Sequence, residues 1–157
     1  MRRLSRPLLL CALCLFSHAQ TVQPALTTAQ IRFFTRFFAR IGSADLAPSM
    51  LAHTRTALPT NFNLNPAETN LVLTAAESFR TTMTQVHASE TALTAGKSTL
   101  SAADLATMAQ LTKTRDQAAA TLAAGLLKSV RPETATLLLQ QATSYASLLA
   151  KMGVNLR

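Results

Sequence analysis

Residues 31–41 read Ile-Arg-Phe-Phe-Thr-Arg-Phe-Phe-Ala-Arg-Ile and contain four of the seven phenylalanines in the chain. Successive side chains on a helix lie about 100° apart, so the apolar residues of this stretch share one broad arc. The apolar arc comprises Ile31, Phe33, Phe34, Phe37, Phe38 and Ile41, and the arginine stripe beside it comprises Arg32, Arg36 and Arg40. The pattern predicts a strongly amphipathic helix. Other helices must cover the apolar arc, or a membrane or a partner must.

The beginning of the chain has the pattern of a secretory signal peptide. A start with three arginines is followed by an apolar run at residues 8–16 and by a small-x-small cleavage signal, Ser-His-Ala, at residues 17–19. We therefore expect residues 1–19 to be removed, which leaves a periplasmic or secreted protein that begins near Gln20. The apolar run is far shorter than the roughly 20 residues of a spanning helix, so we do not expect a membrane anchor.

Removal of residues 1–19 would change the composition of the protein. Both cysteines and three of the fifteen Lys and Arg residues would be lost, and the seven acidic residues would stay, which gives a net charge of +5. Without a disulfide the domain must rest on its apolar core, and residues 20–157 suffice for one domain. The charge is not gathered into one run, so we do not expect nucleic acid as a partner. Acidic lipid or an acidic polymer is a better candidate.

Four helix starts divide residues 20–157. Residues 26–30 (Leu-Thr-Thr-Ala-Gln) and 100–104 (Leu-Ser-Ala-Ala-Asp) each place a hydroxyl cap three residues before a side chain that can bond back to it. Residues 64–68 (Leu-Asn-Pro-Ala-Glu) combine an Asn cap with Pro at the first helical position and Glu at the third. Pro132 marks a weaker fourth start.

These starts and the spacing of apolar residues predict an all-α bundle of about four principal helices. The predicted helices are 28–42, 66–94, 102–129 and 132–152, and the connection 43–64 is expected to be irregular or partly helical. We expect Gly42 and Gly96 to end two of the helices, with Gly42 able to adopt the left-handed conformation of a helix terminus. No alternating pattern predicts a strand.

An internal repeat is a further hypothesis. When Pro66 is set against Pro132, residues 66–79 and 132–145 align without a gap, and the apolar positions of the two segments coincide. Common ancestry and convergence on one pattern of helix start both account for this match, and the sequence leaves the choice open.

Candidate chemical groups are few. His87 and Glu90 lie one turn apart, a spacing that could give two metal ligands, and only His53 could supply a third. Glu90 also occupies a position that should be buried, which indicates that the packed part of its helix stops near Val86. The chain has no glycine-rich phosphate loop and no nucleophile elbow. We therefore predict that it is not an enzyme, with no catalytic, cofactor-binding or metal-binding residues.

The arginine stripe and the apolar arc offer a different kind of site. The candidate residues for binding a partner or a lipid surface are Arg32, Phe33, Arg36, Phe37 and Arg40. In one interpretation the arginines meet acidic lipid headgroups or an acidic client while the aromatic rings enter the interface. In the other, the whole arc is core and the arginines are only solvated. The exposure of the rings decides between the two.

A resemblance to a known family arises at the helix starts. Residues 26–30 match the Leu-Thr-x-x-Gln motif of the periplasmic Spy/CpxP group of helical stress proteins, and residues 64–68 resemble a degenerate second copy. The resemblance implies an envelope protein that binds unfolded clients or acts as a sensor, in the form of a cradle-shaped homodimer with basic and apolar patches on its concave side. The chain lacks the His-rich metal tracts of some relatives.

The leading hypothesis is an exported, non-catalytic helical protein that binds protein clients or envelope surfaces in a chaperone-like or stress-related role. Two alternatives stay open at this point. One is a membrane-surface protein that uses helix 28–42 to bind anionic lipid, and the other is a purely structural or assembly module.

Overall fold

The computed structural model describes residues 25–42 and 48–152, apart from the side chains of residues 48, 50 and 51. The predicted signal peptide, 1–19, lies outside these ranges and stays a prediction. The described residues form five α-helices and no strand: α1 (Thr28–Gly42), α2 (Pro48–Phe62), α3 (Pro66–Thr94), α4 (Ala102–Ser129) and α5 (Pro132–Lys151). This confirms the all-α bundle. Among these helices, none is both long and apolar enough to span a membrane.

The helix starts follow the predicted capping chemistry. Capping boxes open α3 and α4. In each, the side chain of the cap residue accepts a hydrogen bond from the backbone N–H three residues later, and the carboxylate of that later residue accepts a hydrogen bond from the backbone N–H of the cap residue. Gln30 likewise accepts a bond of 2.9 Å from the backbone N–H of Thr27. No side chain caps α5, in line with its weaker start signal. The observed ends of these four helices lie within one residue of the predicted ones.

The connection predicted at 43–64 is more helical than expected, since residues 48–62 form the 15-residue helix α2. Pro59 lies inside α2, where it removes one backbone donor from the helix. Leu58 is buried in the core cluster and Phe62 packs against that cluster, so tertiary burial holds this segment in a helix. The chain then turns through Asn63 at a positive φ of 50°, which favours a short polar residue or glycine.

Helix α1 lies at the centre of the bundle and packs on α3, α4 and α5. Its residues Phe34 and Phe38 are 0% exposed. The ring of Phe38 lies 6.0 Å, centre to centre, from that of Phe79 on α3. Fully buried alanines of α4, Ala119 and Ala123, belong to the same core cluster, and their small side chains let α4 approach closely. The middle of the apolar arc is therefore the core of the protein.

A buried carboxylate links the starts of α3 and α5. Glu68 is only 3% exposed, and its Oε1 accepts hydrogen bonds from the backbone N–H of Arg131 (2.8 Å), from the Arg131 Nε (3.0 Å) and from the Thr134 hydroxyl (3.0 Å). Its Oε2 accepts from the Arg131 Nη2 at 2.8 Å and from the Asn65 backbone at 3.0 Å. Arg131 also donates to the carbonyl of Asn63 at 2.7 Å, which joins the end of α2 to the same network.

The hydrogen bonds to Glu68 stabilise its charged form. The Arg131 side chain, which contributes most, and the other donors together outweigh the effect of burial and lower the pKa of Glu68 from 4.5 to about 2. Because removal of one partner leaves an uncompensated buried charge, breaking such a pair costs more free energy than its formation contributes.

The aligned segments 66–79 and 132–145 have matching burial. Val72 and Leu138 are fully buried at one aligned position, and Ala76 and Ala142 are buried at the next. Both segments pack on α1, but the match in burial ends at the aligned pair Phe79, which is buried, and Tyr145, which is half-buried.

The far end of the α3–α4 hairpin extends beyond the core. Val86 is the last buried residue of α3 and Ala119 is the first of α4, as the position of Glu90 predicts for α3. The turn between the two helices contains Gly96 at a φ of 68° and an ion pair of 2.7 Å between Lys97 and Asp104. We call residues 87–110 the hairpin tip.

The prediction for Gly42 was wrong about its conformation. Among the described glycines only Gly96 has a positive φ, so Gly42 does not take the left-handed conformation. Gly42 is needed for a different reason, because a β-carbon there would lie 2.6 Å from the backbone oxygen of Ala76. Glycine lets the end of α1 approach α3 closely.

We expect Gly42→Ala to lower the free energy of unfolding by about 1 to 3 kcal/mol, since the new methyl group meets backbone that cannot rotate away. Gly125→Ala is the matched control. Gly125 lies within α4 and has open space around it, so alanine there should raise the free energy of unfolding by about 0.5 to 1 kcal/mol. Urea unfolding of both variants measures the difference, and equal stabilities would contradict the close approach.

A second prediction concerns pH. Since the pKa of Glu68 is lower in the folded protein, its contribution to stability is complete above pH 4.5 and is lost as the pH falls from there towards 2. We expect Glu68→Gln to reduce the free energy of unfolding at pH 7 by about 2 to 4 kcal/mol. Between pH 5 and 3, the free energy of unfolding of this variant should decrease less steeply than that of the unsubstituted protein.

Asp104 provides a comparison for this titration. Its pKa is also lowered to about 2, chiefly by the hydrogen bond from Lys97, so it adds its own pH dependence, but it lies at the hairpin tip. Asp104→Asn should therefore leave the contribution of Glu68 intact, and the flattening caused by the two substitutions should be additive. A pH profile of Glu68→Gln as steep as that of the unsubstituted protein would contradict the role of Glu68.

Candidate partner-binding surface

The described residues bring together few groups suited to catalysis or metal binding. They contain no cluster of three or more His, Cys, Asp or Glu side chains that could hold a metal ion. His87 and Glu90 do lie together, with 3.1 Å between Nδ1 and Oε2, but no third ligand such as His53 joins them. The predicted two-ligand spacing is thus a contact between two side chains at the surface of α3.

One groove of about 340 Å³ lies between α3 and α4. Its lining consists of neutral side chains: Ser78, Thr82, Thr114, Gln117, Ala118, Thr121 and Leu122. Two of its hydroxyls, those of Thr82 and Thr114, already donate to carbonyls of their own helices. The groove therefore holds no group that could transfer a proton or bind a metal ion strongly.

The apolar arc of α1 divides into a core and a rim. Phe34, Phe38 and Ile41 are buried, whereas Phe33 and Phe37 are half-buried at the edge of the core. The rings of Phe33 and Phe37 are stacked, with centres 5.7 Å apart and an interplanar angle of 14°. The middle of the arc is therefore core, and its edge stays partly accessible.

Two further rings extend the rim. Phe62 at the end of α2 lies 5.4 Å from Phe37, and Tyr145 on α5 lies 6.0 Å from Phe33, both measured between ring centres. All four rings are half-buried. We call the series Phe62, Phe37, Phe33 and Tyr145 the aromatic row. Three different helices supply it, so only the folded chain assembles it.

The arginine stripe runs beside the aromatic row. Arg36 and Arg40 are exposed and Arg32 is half-buried. The guanidinium carbon of Arg36 lies 5.7 Å from the centre of the Tyr145 ring, a distance at which the cation is attracted to the ring face. This contact places one arginine directly at the end of the aromatic row.

Within the described residues, none of the three stripe arginines forms an ion pair. The lysine and arginine ion pairs found there are Arg80 with Glu77, Lys97 with Asp104, Arg115 with Asp116, and Arg131 with Glu68. These pairs engage every carboxylate of the described ranges except Glu133 and Glu90, and Glu90 lies 3.1 Å from His87. The stripe therefore keeps its positive charge unneutralised by any described acidic group.

Exposed apolar side chains continue the surface along α5. Leu148 is 53% exposed and Met152 at the end of the helix is 59% exposed. They follow Tyr145 at spacings of three and seven residues, which places all three on one side of the helix. The aromatic row thus leads into an apolar strip on α5.

The five residues predicted from the sequence all lie on α1, at this rim or in the stripe beside it. The sequence analysis missed Phe62 and Tyr145. The sequence did indicate that Tyr145 occupies a structurally important position, since it aligns with Phe79 in the repeat. The alignment did not reveal which of the two rings would lie at the surface.

Comparisons with protein-family models, with curated proteins and with solved structures found no match to this chain. The resemblance to the Spy/CpxP group therefore stays a prediction. The argument for function rests on the surface just described.

Core and rim phenylalanines should respond differently to truncation. We expect Phe38→Ala, which empties a fully buried site, to cost about 3 to 5 kcal/mol of stability. Phe33→Ala should cost about 1 to 2 kcal/mol, because part of that ring already contacts water. Chemical denaturation followed by circular dichroism measures both values, and similar losses would contradict the division of the arc.

Proposed function

We propose that this chain is an exported, non-catalytic helical protein that binds protein clients through the aromatic row and the arginine stripe, in a chaperone-like or stress-related role. Export is inferred from the signal-peptide pattern of residues 1–19. The observation that carries the proposal is a row of four half-exposed rings next to three cations with no described ion-pair partner.

The energetics of such a surface favour association. Apolar area that stays in contact with water contributes about 25 cal/mol per Å² when a partner covers it, and aromatic rings add favourable ring contacts. Aromatic and arginine side chains are also the residues that most often dominate the energy of protein interfaces. The combination is typical of a binding surface.

The burial of α1 supports a protein partner over a membrane surface. Phe34 and Phe38, in the middle of the apolar arc, are the core of the bundle and could not enter a lipid interface without unfolding it. Only Phe33 and Phe37 remain accessible in part, and their rings lie beside Tyr145 of α5 and Phe62 of α2. Half-buried rings held by neighbouring helices can contact the side chains of a partner, but they have little free area to insert into a bilayer.

The scarcity of converging titratable groups in the described residues supports binding over catalysis. Catalysis by side chains needs acids, bases or nucleophiles within hydrogen-bond reach of one reacting atom. The buried carboxylate of Glu68 is already bonded to Arg131 and Thr134, in a network that joins α3 to α5.

The test is suppression of aggregation. The purified protein should slow the light-scattering increase of a chemically unfolded model client at equimolar ratio. Phe33→Ser combined with Phe37→Ser should weaken this protection several-fold, because it removes apolar contact area from the middle of the aromatic row.

Leu105→Ser is the matched control, because Leu105 is an exposed apolar residue at the hairpin tip, away from the aromatic row. The control should protect the client as well as the unsubstituted protein does. Circular dichroism confirms that each variant is folded, and Tyr145→Ser offers a milder change should the double variant unfold. Absence of protection by the unsubstituted protein would refute the proposed function.

A further inference from the structure

We propose that the preferred ligand of this surface is an amphipathic helix with a stripe of carboxylates beside a stripe of apolar side chains. The proposal rests on the proposed function and specifies its partner. It follows from the charge balance of the chain and from the spacing of the two rows on α1.

The charge balance indicates that the partner is a different molecule. The stripe arginines lack ion-pair partners among the described residues, and the described part of a second copy would offer only Glu90 and Glu133 as carboxylates that are not paired with lysine or arginine. Glu133 lies close enough to Arg131 to affect its pKa. Two such carboxylates are few for three arginines, so we infer that the carboxylates that complement the stripe come from another chain.

The spacing of the rows indicates a helix. Arg32, Arg36 and Arg40 repeat every four residues, which on a helix is a rise of about 6 Å. Phe33 and Phe37 follow the same repeat beside them, and their ring centres are 5.7 Å apart. A helical ligand presents side chains four residues apart with the same rise, so its ridges can pack between these two rows.

An extended ligand fits less well. Alternate side chains of a strand share one face and lie about 6.6 to 6.8 Å apart, so an extended segment would lose register with the arginines by more than about 1 Å over two repeats. Guanidinium groups bind carboxylates best in a fixed, bidentate geometry, and this makes register important. The contact with the Tyr145 ring, at 5.7 Å, restricts the position of the Arg36 guanidinium group.

Fluorescence anisotropy with three labelled peptides of about 18 residues tests the proposal. The first peptide places Glu and Leu in adjacent stripes of a helix, the second has the same composition in scrambled order, and the third replaces each Glu with Gln. We expect the full-length protein to bind the first peptide at least about tenfold more tightly than either of the others. Added salt should weaken this binding, because it screens exposed charges.

Two triple variants distinguish a specific effect of the arginine stripe from an effect of the net charge of the protein. The combination R32Q, R36Q and R40Q should reduce the affinity for the first peptide by at least about tenfold. The combination K113Q, K128Q and K151Q removes the same number of charges from exposed positions outside the stripe and should change the affinity by less than about threefold.

Four outcomes would overturn the inference. Equal binding of the first and scrambled peptides would exclude recognition of a helix. Equal losses of affinity in the two triple variants would show that binding depends on net charge alone and not on the arginine stripe. Stripe-dependent binding to phosphatidylglycerol vesicles with no binding of the first peptide would assign the stripe to lipid. Protection of an unfolded client without any preference among the peptides would refute this inference while leaving the proposed function intact.

Discussion

The constraint on which the rest of the structure depends is the removal of the α1 aromatic residues from water. A 15-residue helix with Phe34, Phe38 and Ile41 on one side is not stable alone in water, because helices of this length gain most of their stability from packing. Helices α3, α4 and α5 all pack on it, and Gly42 lets α1 approach the backbone of α3. The opposite side of α1 is thereby left to the arginines.

The Glu68 network joins two of the helices that pack on α1. By joining the starts of α3 and α5 it fixes two helices that each carry an aromatic residue at the fourteenth position, Phe79 and Tyr145. Phe79 faces Phe38 and is buried, whereas Tyr145 faces Phe33 and stays half-exposed. Only the carboxylate of this pair is buried, since the Arg131 side chain is 47% exposed, and the geometry of its hydrogen bonds can select one arrangement of the helices.

The distribution of charge connects the fold with the proposed binding role. Most acidic groups of the described chain are paired locally, within one helix or between neighbouring segments. The stripe arginines have no such partners there, and they lie next to the apolar rings that the bundle covers only in part. Attraction to an acidic partner and burial of apolar area would then act at the same place, so a modest surface can discriminate between ligands.

The helices and their boundaries were accessible from the sequence, because capping boxes, the prolines at helix starts and the apolar spacing act within a few residues. The amphipathic character of residues 31–41 and the end of packing near Val86 were predictable for the same reason. The full length of α2 was not, since it depends on burial of Leu58 and Phe62. The need for glycine at position 42 was not predictable either, because it comes from the close approach of α1 to the distant Ala76 and not from a local turn.

The sequence by itself determined that α1 has an apolar arc and an arginine stripe, and it named the five residues of the candidate site. Only the tertiary structure decided which rings of the arc are core and which form the aromatic row with Phe62 and Tyr145. The difference has a physical reason. Periodicity fixes the direction of a side chain around its own helix, whereas its exposure depends on how far the neighbouring helices extend over it, and this is set by contacts such as Arg131 with Glu68, 63 residues apart.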